Sequence, residues 1–251
     1  MLIATAGIAA FILWNKNSFL LPKPQLFKFL STGLLVAIHW IFFFEAIKVS
    51  TVSVALVCFA STSLFAAFLE PVFFKRKIIG YEILFGLIAV AGLYMIFEFE
   101  TQYKTGILFS LFSAFVGALF TVINGKFISQ SHAKLITLYE MIGGFFAVSL
   151  YFLISNPQFL QSAVPTLSDW FYLLLLGLVC TAYAFVASVD LLQHISPYTM
   201  SISVNLEPVY AIILALLIFG EKEKMTAGFY AGASVVIVTV AANALMKGRK
   251  T

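Results

Sequence analysis

Charge is what this sequence has least of. Asp, Glu, Lys and Arg together make up 10% of the 251 residues, against 62% hydrophobic. Soluble domains carry about 25% charged and about 45–50% apolar residues, so a water-covered surface of ordinary extent is excluded. Cysteine is almost absent too. Cys58 and Cys180 stand alone inside apolar runs, which excludes a disulfide framework and a cysteine-based metal site. The three histidines, His39, His132 and His194, lack the spacing of a zinc-binding helix, and no serine occupies a nucleophile elbow. A Gly-Lys-Ser/Thr phosphate loop is missing as well, so hydrolysis of ATP is not expected. The chain is therefore read as a non-enzyme without cofactor or metal. An intramembrane enzyme pairing Glu207 with Glu140 or Asp190 is one alternative, and a non-catalytic membrane assembly subunit is another.

What the chain has instead is long apolar runs. Val49 to Leu69, Thr105 to Gly125, Trp170 to Val189 and Met225 to Met246 contain no charge at all. About 20 such residues cross a hydrocarbon core of about 30 Å as a helix. Spans are expected at about 1–14, 29–47, 52–74, 79–97, 105–127, 135–155, 171–193, 198–220 and 226–246. The links are short and carry breakers and charges, among them Asn15-Lys16-Asn17, Pro22-Lys23-Pro24 and Ser196-Pro197. The fold class is all-α: a polytopic membrane protein of about nine transmembrane helices, with no room for a soluble domain.

The net charge of +4 does not point to nucleic acid, because the basic residues are scattered among the links rather than lining a groove. If links alternate sides, Lys16, Lys23, Lys28, Lys75, Arg76, Lys77, Lys126, Lys134, Lys247, Arg249 and Lys250 share one side. Lys48, Lys104, Lys222 and Lys224 share the other. The richer side is expected in the cytoplasm, with the C-terminus, and the cell membrane is the expected location.

An internal repeat is expected from spacing. A polar break at Val49-Ser50, a long apolar span, a charged link at Lys75 and Gly86 recur in order at Ile195-Ser196, Glu221 and Gly232, with 146 residues between matching features. The two charged links fall on opposite sides, so the halves, 1–100 and 101–251, would be inverted relative to one another, as in many transporters. The second half holds five spans and the first four. The first span of about 14 residues reaches only about 21 Å. The expectation is a chain that begins within the second helix of a ten-helix protein; a genuine nine-helix protein is the alternative.

The stretch Asn205-Leu206-Glu207-Pro208-Val209-Tyr210, running on to Gly220-Glu221, with Gly228 and Gly232 beyond it, resembles the drug/metabolite transporter superfamily and its EamA-type members. Phe44-Glu45-Ala46-Ile47-Lys48-Val49-Ser50 resembles the matching stretch of the first half. The resemblance implies ten helices in two inverted five-helix repeats, with the first helix lacking here, and a small metabolite such as an amino acid moved outward. The chain departs from the pattern in having Thr62 where the family often has proline, and Phe74-Lys75 in place of the closing Gly-Glu.

Polar residues inside the spans are the candidate substrate or coupling residues. A carboxylate near the middle of a span costs about 2.5–3.5 kcal/mol, so Glu207 calls for an explanation. Pro208 frees a backbone carbonyl one turn earlier, and Asn205 is close by; together they suit an ammonium group or a proton. A protonated Glu207 bonded to a neighbouring helix is the competing account. His39 titrates near neutral pH in its ordinary state, and Trp40 offers a face to a planar or cationic substrate. Tyr183 lies mid-span with a polar tip. Glu140 is a second ionisable site or part of a polar network at the helix end. Structural roles are expected for Glu70 and Asp190, and a solvated Glu45–Lys48 pair for Glu45. The expected partners are the lipid bilayer, a small-molecule substrate and coupling protons. The small-residue runs Gly117-Ala118, Gly143-Gly144 and Gly228 to Gly232 suit close helix packing, and the last helices offer a homodimer face.

Overall fold

The computed structural model describes residues 1–16, 18–155, 165–204 and 207–248. Among them the regular structure is helical, with no strand. The helices are α1 (Leu2–Trp14), α2 (Lys23–Val49), α3 (Val52–Phe59), α4 (Thr62–Phe74), α5 (Gly80–Phe99), α6 (Lys104–Phe127) and α7 (Ala133–Ser155). Then come α8 (Leu167–Leu174), a π-helical stretch (Leu175–Tyr183), α9 (Ala184–Leu191), α10 (Pro197–Val204), α11 (Glu207–Phe219) and α12 (Ala227–Gly248). Among the described residues, Lys23–Val49, Val52–Phe74, Thr101–Phe127, Ala133–Ser155 and Leu167–Leu191 are long and apolar enough to cross a membrane. Shorter apolar helices fill the remaining expected spans.

Three elements differ in detail from the expected spans. Helix α2 starts at Lys23, six residues early, because Pro24 lies in the first turn, where a missing N–H costs nothing. The expected span 52–74 is two helices, α3 and α4, separated at Ala60-Ser61. The expected span 171–193 starts at Leu167, where Thr166 and Asp169 form a capping box, and is π-helical at its centre.

The chain forms two compact units. The first comprises residues 1–38 and 123–194, the second 39–122 and 195–251. In the first, α1 packs against α7 and the π-helical stretch, and α9 packs against α7. Its apolar core is Phe29, Phe127, Ala133, Ile136 and Val189. Helices α2 and α7 come together at glycines: a side chain at Gly33 would overlap the Glu140 carbonyl, and one at Gly143 the Leu30 carbonyl.

In the second unit α5 lies along α12, α4 against α10 and α3 against α11. Val54, Val57, Leu93, Ile96, Ile107, Phe229 and Val236 form its core. Gly92 and Gly232 meet where α5 and α12 touch: a Cβ on Gly92 would lie 2.9 Å from the Gly232 carbonyl oxygen, and the reverse distance is 2.7 Å. Gly228 faces the Phe99 ring. The small residues of the last helix thus serve packing inside this unit.

Buried carboxylates join the helix ends of this unit. Glu223 accepts the backbone N–H of Val52 at 3.0 Å and of Ser53 at 2.9 Å, at the start of α3. Glu70 accepts the N–H of Tyr198 at 2.7 Å, at the start of α10, and pairs with Arg76. Glu100 accepts both the N–H and the hydroxyl of Thr226, at 2.9 and 2.7 Å, ahead of α12. The first-turn N–H groups of a helix have no partners within it, and its positive end favours an anion. The structural role expected for Glu70 is of this kind.

Candidate functional site

His39, midway along α2, is 9% exposed and lies in a buried polar spot of the second unit. Its Nδ1 lies 3.0 Å from the Ser113 carbonyl oxygen and 2.8 Å from Ser113 Oγ, and Oγ lies 3.0 Å from the His39 carbonyl oxygen. Only one arrangement of protons satisfies all three contacts. A bare Nδ1 would face the carbonyl lone pairs at 3.0 Å. Nδ1 therefore carries the proton and donates it to Ser113, while the Ser113 hydroxyl donates to the His39 carbonyl. In the neutral ring Nε2 is then the acceptor, and it has no hydrogen-bond partner among the described residues.

The imidazole is surrounded by rings. Phe59, Phe120 and Phe43 have centroids 5.3, 5.5 and 6.1 Å from it. Phe59 is the last residue of α3, so the interruption of the helix at Ala60-Ser61 lies beside the histidine. Three successive hydroxyls cover the carbonyls of that interruption. Ser61 Oγ donates to Cys58 O at 2.7 Å, Thr62 Oγ1 to Phe59 O at 2.6 Å and Ser63 Oγ to Ala60 O at 3.3 Å. Side-chain bonds of this kind compete with the helical ladder and let a helix part without proline. Thr62 thus opens the first-half helix at the very position where the resemblance leads one to look for proline.

The remaining expected residues fall in different places. Trp40, half-buried, sets its ring edge-on to Phe44 at 6.2 Å and makes no ring contact with His39. Glu207 is half-buried in the first turn of α11 and has no hydrogen bond or ion pair among the described residues. Asn205 lies outside the described residues, and of Pro208 only its place in α11 is described. In the first unit, Glu140 is fully buried and its Oε2 accepts a hydrogen bond from Asn124 Nδ2 at 3.1 Å. Tyr183 is 73% exposed and borders a cavity of about 560 Å³ with Gly7, Phe11, Lys134, Leu178 and Asp190. Asp190 bonds Gln193 at 2.6 Å, and the Lys48–Glu45 pair forms at 2.6 Å.

Sequence reasoning missed Ser113, Phe59 and Phe120. Ser113 lies 74 residues from His39 and is one of many hydroxyls in apolar runs. Its i+3, i+4 companions give no local sign of a histidine across the helix pair.

The profile of the EamA-like transporter family matches residues 1–98 and 104–244. The chain belongs to this family. Its members are membrane transporters of the drug/metabolite type, and the EamA-type expectation raised by the Glu-Pro element is met. A protein of Clostridium kluyveri described as an uncharacterized transporter is 24% identical over 185 residues, which is 70% of this EamA-family chain. The alignment spans 59% of that relative's own length, less than two thirds of it. A protein of known crystal structure superposes with a TM-score of 0.70 at 18% identity, over 99% of this chain and 86% of the other. At that identity the likeness speaks for the fold: an all-α, polytopic membrane protein.

Proposed function

We propose that this EamA-family chain is part of a secondary carrier that exports a small metabolite, with amino acids as the first class to test. The observation that carries this reading is the His39–Ser113 pair beside the open turn at Ala60-Ser61. An interrupted membrane helix next to a polar group is the usual form of a carrier's binding site. Nε2 of His39 is an acceptor held in one orientation, and it suits an ammonium or amide N–H. The rings of Phe43, Phe59 and Phe120 supply the apolar and cation-friendly surroundings that such a donor needs. Trp40 extends the aromatic surface along α2, and Tyr183 serves the first unit in the same way.

Glu207 is proposed as the proton-coupling group, with Asn205 and Pro208 shaping its surroundings. Two inverted repeats, 1–100 and 101–251, would alternate access by rocking around the site. The excess of Lys and Arg on one set of links supports a cytoplasmic C-terminus and insertion in the cell membrane.

The test is uptake into proteoliposomes of a panel of amino acids and nucleobases, with and without a pH gradient. Gradient-driven transport in the wild type that is lost in Glu207→Gln supports a proton-coupled carrier. Gradient-independent transport that survives Glu207→Gln removes that residue from the mechanism and leaves a facilitator. If His39→Phe keeps full transport, Nε2 does not touch the substrate.

A further inference from the structure

In the first unit, four polar oxygens are buried without a hydrogen-bond partner. Glu140, Asn124 and Thr137 are 0%, 1% and 0% exposed. Asn124 Nδ2 donates to Glu140 Oε2, which leaves Glu140 Oε1 and Asn124 Oδ1 buried without partners. Thr137 Oγ1, one helical turn before Glu140 on the same face of α7, is also buried and unpartnered. Hydroxyls elsewhere in the protein's helices bond back to a carbonyl four residues earlier, as Thr32, Thr121, Ser201 and Thr239 do. Thr137 does not.

A fourth oxygen comes from α1. Thr5 Oγ1 is likewise buried and unpartnered. Met1 lies against Gly144, and Lys134 over the Phe11 ring, so α1 and α7 run in opposite directions. Four residues separate Met1 from Thr5, and four separate Gly144 from Glu140. At about 1.5 Å per residue, Thr5 and Glu140 sit at the same height.

Buried polar atoms are nearly always paired, and a cluster of unpaired ones calls for a missing partner. Here the unpaired atoms are all oxygens: a carboxylate, an amide carbonyl and two hydroxyls. A nitrogen- or sulfur-seeking metal finds no ligand in such a set. Charge narrows the choice further. One carboxylate balances one positive charge, whereas a divalent ion would leave a net charge buried at large cost. We propose that Glu140, Asn124, Thr137 and Thr5 bind a sodium ion between α1, α6 and α7. Sodium is small enough to sit among four oxygens and completes the neutral pair that Glu140 lacks. Sodium binding at Glu140 does not depend on which substrate is carried.

Thermal unfolding of the purified chain in detergent tests it, with sodium chloride exchanged for choline chloride at constant ionic strength and pH. The wild type is expected to gain a saturable rise in Tm with sodium. Glu140→Gln should lose that rise and, lacking an uncompensated charge, unfold no earlier than the wild type in choline. Should Glu140→Gln fail to fold, Thr137→Val keeps the carboxylate and should move the sodium midpoint roughly tenfold higher, the equivalent of one weakened ligand. A wild type indifferent to sodium overturns the proposal and leaves a protonated Glu140 held by Asn124. A sodium response unchanged in both variants also overturns it, because the ion would then sit elsewhere.

Discussion

Single residues decide where this protein is polar. His39, Glu140 and Glu207 are legible in the sequence because ionisable groups are rare in its apolar runs, and each costs free energy there unless something compensates. The compensating partners are not legible. Ser113 faces His39 from 74 residues away and Glu223 reaches back 170 residues to Ser53, distances over which no local pattern operates. Ser113→Ala keeps the carbonyl acceptor of Nδ1 but removes the hydroxyl bonded at both ends. It should lower unfolding stability by about 1–3 kcal/mol, measured by denaturant titration in mixed micelles. A variant as stable as wild type would mean the hydroxyl is dispensable to the histidine. Glu223→Gln keeps the shape of the side chain but removes the charge that faces the start of α3. A loss of about 1–2 kcal/mol in the same titration is expected, with Glu223→Ala costing more, since two N–H groups lose their acceptor altogether.

Among the elements, apolar length placed the helices well, because about 20 residues without charge leave few other options. What it could not place was their interior irregularity. The turn at Ala60-Ser61 is made by three hydroxyls bonding back to carbonyls, and Ser-Thr-Ser in an apolar run reads equally well as an unbroken helix. The π-helical stretch Leu175–Tyr183 is still less visible, since its wider turns leave no mark on the hydrophobic pattern. A direct check exists for the open turn. Thr62 is the first residue of α4, a position where proline's missing N–H is not needed. Thr62→Pro should therefore fold with a Tm close to wild type. Ala66→Pro, four residues further on and fully buried, should cost about 3 kcal/mol or more by breaking the helix interior. Equal damage from both substitutions would show that α3 and α4 run on as one helix.

For the whole molecule, the two compact units are discontinuous in sequence, and each takes segments from both halves of the expected repeat. Inside the second unit the two ends of the sequence hold each other's helix starts: Glu70 binds the N–H of Tyr198 and Glu223 that of Val52. The excess of Lys and Arg on one set of links makes a prediction about orientation at the same scale. Single cysteines introduced into a Cys58→Ser, Cys180→Ser background test this in intact cells with a membrane-impermeant thiol reagent. Gln102→Cys, in the 3₁₀ turn before α6, should be labelled from outside. Gln130→Cys, in the link between α6 and α7, should react only after permeabilisation. Both positions are exposed, so a failure to react reports the membrane rather than burial. The opposite labelling pattern would put the C-terminus outside.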